Sequence, residues 1–358
     1  MNWDFFHTLL SIDSTSGKER AVAEWLLKNL EAPSKQAMEV GDGTLNLLLS
    51  WGTPKVVFCT HMDTVPPYIP PKEILSGGTP FASLTPAPPT AKAAGPSPCP
   101  CPGVDTSSGE NLLRIEGRGA CDAKGQLFAM YTACKELEAK GCTDFGLLLL
   151  SGEETGSWGA KAFAKTGFQA PFLIVGEPTE NKMVSASKGT KSYDLTFTGE
   201  AFHSGYPQYG VSAVDLFNQF YNKLKGVDWG VDPVLGETTW NIGLLHSDNP
   251  QNILSPKLTC RLYFRTTFVS DQKVQDWMAG QPGVSARGGD SPANYVTLPG
   301  FASAPVAFGS DAPHLTGFGH KIICGPGSIR HAHRDDEQIL VSELEEAVQL
   351  YIKMYHEL

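Results

Sequence analysis

At 358 residues, 41% of them hydrophobic, the chain is too long for one ordinary core and comfortable for two. A net charge of -10 argues against nucleic acid as a partner, and no stretch reaches the ~18 consecutive apolar residues that a membrane span needs. The opening Met1-Asn2-Trp3-Asp4-Phe5-Phe6 lacks a basic segment before an apolar run, so a cytoplasmic protein without membrane partners is expected. Eight cysteines in such a chain read as scattered reduced thiols, and Cys99 and Cys101 flank a single proline rather than the two residues of a zinc knuckle.

Apolar residues recur at helical spacing from Phe5 to Leu10 and from Arg20 to Leu30, with Ser14, Thr15 and Ser16 available as a cap between the two helices. Leu45–Leu49 and Val56–Phe58 read as neighbouring strands joined by a turn at Trp51-Gly52-Thr53-Pro54. The second strand ends on His61-Met62-Asp63-Thr64-Val65-Pro66, which delivers polar side chains at the carboxyl end of a buried strand, where open α/β sheets bind ligands. From 66 to 108 proline, alanine, serine and threonine dominate, and such a segment cannot bury enough apolar surface to offset its ordering entropy; it reads as an exposed insertion.

Order returns at Leu112–Ile115, then Gly117-Arg118-Gly119-Ala120-Cys121-Asp122-Ala123-Lys124-Gly125 precedes a helical pattern from Leu127 to Leu137. Two more apolar runs end in acid: Leu147–Leu150 before Gly152-Glu153-Glu154, and Phe172–Val175 before Gly176-Glu177-Pro178-Thr179. Beyond them the texture changes. Lys191–Thr198, Thr239–Leu245 and Leu258–Thr266 alternate as half-exposed antiparallel strands, with helical patterns at Val211–Leu224 and Gln272–Met278. From about Leu298 the first texture resumes: Val306–Asp311, Lys321–Gly327 and a closing helix from Val341 to Tyr355 are expected to complete the first sheet. The expected fold is α/β, a mixed central sheet flanked by helices over residues 1–180 and 298–358, interrupted by an α+β insert at 181–297.

The candidate ligands in chain order are His61, Asp122, Glu154, Glu177 and His333. Two histidines and three carboxylates suit zinc or another borderline divalent ion, and five ligands suffice for two ions if Asp122 is shared. Glu153 and Glu154 can divide the labour at a strand end, one binding metal and the other taking a proton from water. Asp63 is placed to accept from the far nitrogen of His61 and so fix its tautomer. Taken singly each residue has a bland reading: a core histidine, a helix cap at Asp122, a solvated acidic pair, a turn residue at Glu177. Their joint order along the chain carries the sharper one. Asp311 is left open between a helix cap and a pocket wall.

His61-Met62-Asp63-Thr64-Val65-Pro66, Gly117–Gly125, Gly152-Glu153-Glu154, Gly176-Glu177-Pro178-Thr179 and Ala332-His333 resemble the successive motifs of the two-zinc amidohydrolases. That family includes acetylornithine deacetylase, succinyl-diaminopimelate desuccinylase and the glutamate carboxypeptidases. The resemblance implies two Zn2+, with Co2+ as a substitute: His61 and Glu177 on one, Glu154 and His333 on the other, Asp122 bridging, Glu153 as general base. His331 stands two places earlier, and His333 is preferred on the alignment of Glu337 and Ile339. The resemblance also implies that the insert is a lid and often a dimerisation domain, so a homodimer is expected. His203 would stabilise the oxyanion, commonly in the partner's site, while Asn252 and Arg265 would contact the substrate. The expected activity is hydrolysis of an N-acyl amino acid, with acetylornithine first, succinyl-diaminopimelate next and a dipeptidase or carboxypeptidase third. A metal-containing binding protein is the non-enzymatic rival.

Overall fold

Two amphipathic helices, α1 (Trp3–Leu10) and α2 (Arg20–Asn29), bury Phe6, Leu9, Leu10, Val22, Ala23 and Leu26 on one face of the molecule. The structure, a computed structural model, describes residues 1–41, 43–75 and 113–358; the Pro/Ala/Ser-rich segment from residue 76 onward, with Cys99 and Cys101, lies outside the described residues. The serines between α1 and α2 do not cap. Glu19 occupies the cap position of α2 without a side-chain cap bond, Ser14 O accepts the Thr64 N–H (3.0 Å), and the Ser16 hydroxyl donates to Asp63 (2.8 Å).

The chain continues through β1 (Ser34–Gly41), β2 (Thr44–Trp51), β3 (Val56–His61), β4 (Lys72–Leu75), β5 (Arg114–Glu116), α3 (Lys124–Ala139), β6 (Phe145–Leu150), α4 (Trp158–Ala164) and β7 (Ala170–Val175). Next come β8 (Met183–Ser187), β9 (Gly189–Thr198), α5 (Ala213–Lys225), a small hairpin of β10 (Val231–Asp232) and β11 (Gly236–Glu237), β12 (Thr239–His246), β13 (Lys257–Thr266), α6 (Asp271–Ala279) and β14 (Val284–Gly288). It closes with β15 (Ala293–Asn294), β16 (Ser303–Val306), β17 (Phe318–Ile323), β18 (Gln338–Leu340) and α7 (Val341–Glu357).

The main sheet has the order β1-β2-β6-β3-β7-β17, with β6, β3, β7 and β17 parallel and β1 and β2 antiparallel at one edge. The expected adjacency of β2 and β3 is therefore wrong. β3 is buried throughout and takes a parallel partner on each side, which leaves no position for an antiparallel β2. The link between them passes tightly over the start of β6, where a Cβ on Gly52 (φ +78°) would stand 2.0 Å from the Thr143 carbonyl oxygen. Helices α1, α2, α3 and α7 cover one face around Phe58, Phe128, Phe145 and Tyr351, and α4 covers the other around Leu148, Phe163 and Val175.

Val306–Asp311 does not extend this sheet. β16 pairs with β8 in a separate three-stranded sheet, where Pro305 lacks a donor and the alternating exposure of Val306–Phe308 suits an edge; only β17 joins the six-stranded sheet. The insert follows the expected strand-helix-strand-strand-helix-strand order as β9-α5-β12-β13-α6-β14. Its antiparallel sheet, ordered β12-β13-β9-β14, has its own core of Tyr193, Leu195, Phe220, Trp229, Leu262, Phe264 and Met278. The consequence for the site is simple: β3, β6 and β7 end together on one edge. Among the described residues no helix is long and apolar enough to cross a membrane.

Candidate metal centre

His61 is the last residue of β3, and its ring is held at both nitrogens. Nδ1 lies 2.9 Å from the backbone oxygen of Asp63 and 3.4 Å from its carboxylate, while Nε2 faces Asp122 Oδ1 at 3.1 Å. With the Nδ1 proton donated to a carbonyl, Nε2 is left as the ligand nitrogen. The Asp63 carbonyl is the nearer acceptor, and the carboxylate expected from the sequence lies beside it as a second partner of the same nitrogen. The Asp63 carboxylate has other work: it accepts the backbone N–H of Glu153 (3.0 Å) and Glu154 (3.1 Å) and the Ser16 hydroxyl.

Asp122 sits in the loop before α3, and the Asp122–Ala123 peptide bond is cis. One buried carboxylate organises that loop. Glu337 accepts the N–H groups of Gly119, Cys121 and Asp122, each at 3.0 Å, and pairs with the buried Arg118 at 2.7 Å. Burial, with Asp122 adding to it, pushes the Glu337 carboxyl up to about 7. Arg118 and Glu337 both fall in motifs quoted from the sequence, but their pairing and the hold of Glu337 on three backbone amides were not assigned there, because the contact joins distant parts of the chain.

The two oxygens of Asp122 face different histidines: Oδ1 meets His61, and Oδ2 lies 3.3 Å from His333 Nε2. His333 also reaches Glu154 Oε1 at 2.9 Å, from a left-handed backbone (φ +62°). His331 lies off this cluster, with Nδ1 3.5 Å from the Gln338 side chain. His61, Asp122 and Glu177 offer ligand atoms that all lie within 4.8 Å of one another, as do Asp122, Glu154 and His333. Asp122 belongs to both sets. Glu153 falls within the same reach of His61 and Glu154 but outside the two sets that share Asp122.

Glu177 Oε1 is buried without a hydrogen-bond partner. A buried carboxylate oxygen left unpaired is costly, and a cation is the partner that its neighbours, the His61 imidazole and the Asp122 carboxylate, are suited to hold with it. The electrostatics agree. Burial pushes the carboxyls of Glu177 and Glu153 well up, whereas bonds from His333 and His61 hold Asp122 below the usual carboxylate range despite its burial. The Asp122 and Glu154 bonds raise His333 to about 10, and burial, which would lower His61, is outweighed by Asp122 and Asp63. Asp311 is buried beside it with Oδ1 unpaired, and burial pushes its carboxyl up to about 6; it makes no side-chain cap bond. Cys59 and Cys121 are buried, and burial pushes both thiols up, as befits small core residues.

His203, Asn252 and Arg265, all in the insert, lie elsewhere. His203 and Asn252 are exposed and adjacent, through the His203–Ile253 bridge and the Ser204 N–H donated to the Asn252 carbonyl (2.9 Å). His203 Nδ1 accepts the Gly205 N–H at 3.0 Å, and the Arg265 guanidinium lies 5.0 Å from the centre of the Tyr263 ring. Among the described residues no hydrogen bond or ion pair joins these three side chains to the five ligands.

The model of peptidase family M20/M25/M40 matches residues 104–357, more than half of the chain. The chain belongs to peptidase family M20/M25/M40. A probable carboxypeptidase of Aspergillus terreus (strain NIH 2624 / FGSC A1156) is 28% identical over 400 residues, a match that covers 98% of this chain and 84% of the relative and so includes His61 and Asp63. The fold is similar to that of a tripeptidase from Staphylococcus aureus subsp. aureus Mu50, with a TM-score of 0.72 at 18% identity over 98% of this chain and 96% of that one. It is also similar to the Saccharomyces cerevisiae di-peptidase Dug1p, with a TM-score of 0.66 at 12% identity over 99% and 96%. As a member of peptidase family M20/M25/M40 the protein is a metal-dependent hydrolase.

Proposed function

We propose that this member of the family is a carboxypeptidase or dipeptidase that cleaves the amide bond of a short peptide or N-acyl amino acid bearing a free carboxylate. The observation that carries the reading is the pair of ligand sets sharing Asp122, with Glu153 beside them and outside both. His61, Asp122 and Glu177 would hold one zinc ion and Asp122, Glu154 and His333 a second, with Co2+ as a substitute. When bound, the metal supplies Lewis-acid polarisation of the scissile carbonyl and acidifies water. Glu153 takes the proton of the attacking water and hands it to the leaving amine as the C–N bond breaks. His203 donates to the tetrahedral oxyanion, and Asn252 and the Arg265 fork bind the substrate's oxygens once the lid closes. Acetylornithine, the first expectation from the sequence, moves behind the peptidase reading, because relatives matched over nearly the whole chain are named probable carboxypeptidases. A fold supports many substrates, so the choice rests on this likeness of sequence and on the substrate-binding roles of the lid.

The test is a substrate panel. With zinc or cobalt supplied, di- and tripeptides should be hydrolysed, C-terminally amidated versions should not, and a chelator should abolish turnover that zinc restores. Turnover confined to N-acetylornithine would return the deacetylase to first place; stoichiometric metal with no turnover on any member would favour a binding protein.

The insert also supports the expected homodimer. β12 is an edge strand with no Lys, Arg, Asp or Glu, interrupted by a bulge between Gly243 and His246 that exposes Leu244 and Leu245 to 70% and 55%. Light scattering should return twice the chain mass of 38.6 kDa. A monomer at assay concentration would remove this part.

A further inference from the structure

We propose that Glu19, in the turn between the first two helices, is a positioning residue that aims the Gly152-Glu153-Glu154 loop. It is completely buried, and its carboxylate accepts the Gly152 N–H at 3.1 Å and the Gly17 N–H at 2.7 Å. Asp63 takes the next two amides, so three consecutive N–H groups, from Gly152, Glu153 and Glu154, end on two buried carboxylates. The same turn is tied to Asp63 through the Ser16 hydroxyl, and to Thr64 through Ser14 and Ser16. The first residues of the chain thereby grip both the His61–Asp63 corner and the acidic loop.

Two features show why a charged acceptor sits here. Gly152 adopts φ +71°, and a glycine can rotate its peptide at little cost, which would swing Glu153 and Glu154 away from the ligand sets. An ionised acceptor holds an amide about twice as strongly as a neutral one, and so pins that rotation. The placement is otherwise unfavourable, since burial and the neighbouring Asp63 charge both push the Glu19 carboxyl up. A residue needed only to fill space would not be an acid beside another acid. The role rests on the hydrolase reading for its kinetic consequence but not for its effect on metal.

Glu19→Ala and the isosteric Glu19→Gln test it, with zinc affinity measured by competition against a chromophoric chelator, and kcat and KM on the best peptide. Glu19→Ala should weaken zinc and lower kcat by about 10- to 100-fold each, the range seen when partners of ligands are removed, while KM moves little. Glu19→Gln keeps an acceptor for one amide but loses the charge and the second acceptor, and should recover only part of both. A folded Glu19→Ala with zinc affinity and kcat at wild-type values overturns the proposal. So does a loss that only follows a reduced folded fraction by circular dichroism, with Glu19→Gln falling as far. If the wild type hydrolyses nothing, the hydrolase reading fails and the zinc competition alone decides the role of Glu19.

Discussion

Glu153→Gln should bind metal as the wild type does and lose about 100- to 10,000-fold in kcat, the usual contribution of a positioned general base. The reasoning starts from geometry. Glu153 has its backbone N–H fixed on Asp63, its side chain lies within reach of His61 and Glu154, and it belongs to neither ligand set that shares Asp122. Glutamine preserves the shape and the backbone bond but cannot accept and return a proton. The measurements are metal content by emission spectrometry and single-turnover hydrolysis of the best peptide. Metal retained with turnover reduced confirms the role; wild-type turnover, with contaminating enzyme excluded by an independent preparation, removes Glu153 from the mechanism.

Much of this site was readable in the residues themselves. His61, Glu154 and Glu177 each follow a run of buried apolar residues, and three parallel strands followed by ionisable groups at one carboxyl edge place them where open α/β sheets bind ligands. Asp122 and His333 lie in loops; chain order nominated both, but the choice of His333 over His331 came from the resemblance, through Glu337 and Ile339. What could not be read was the support beneath. Glu337 binds three amides of the Asp122 loop and Glu19 binds the Gly152 amide, contacts that join distant segments through backbone groups every residue shares. The Asp63 carboxylate was assigned to His61 and lies beside it, but its bonds to the Glu153 and Glu154 amides, and the nearer backbone carbonyl, were not legible. The adjacency of β2 and β3 failed for a related reason: a short connection favours neighbours, but a strand buried on both faces is claimed by parallel partners.

The second large effect concerns Asp122, the residue on which both ligand sets depend. Its two oxygens face His61 and His333 separately, so replacing the carboxylate by an amide leaves a single oxygen acceptor and removes the charge shared between the sets. The loop should survive, because Glu337 holds the Asp122 backbone N–H rather than its side chain. A ligand that binds only the folded chain stabilises it by about 2.7 kcal/mol at a hundred times its Kd, so zinc should raise the unfolding temperature of the wild type and raise that of Asp122→Asn far less. Turnover should be lost with the metal.

Zinc stoichiometry by titration of the wild type and Asp122→Asn, side by side, tests the shared centre most directly. Two ions per wild-type chain, falling to one weakly held ion or none in the folded variant, is the expected result. A wild type that binds a single ion, or a variant that still binds two as tightly, would contradict a centre built around Asp122.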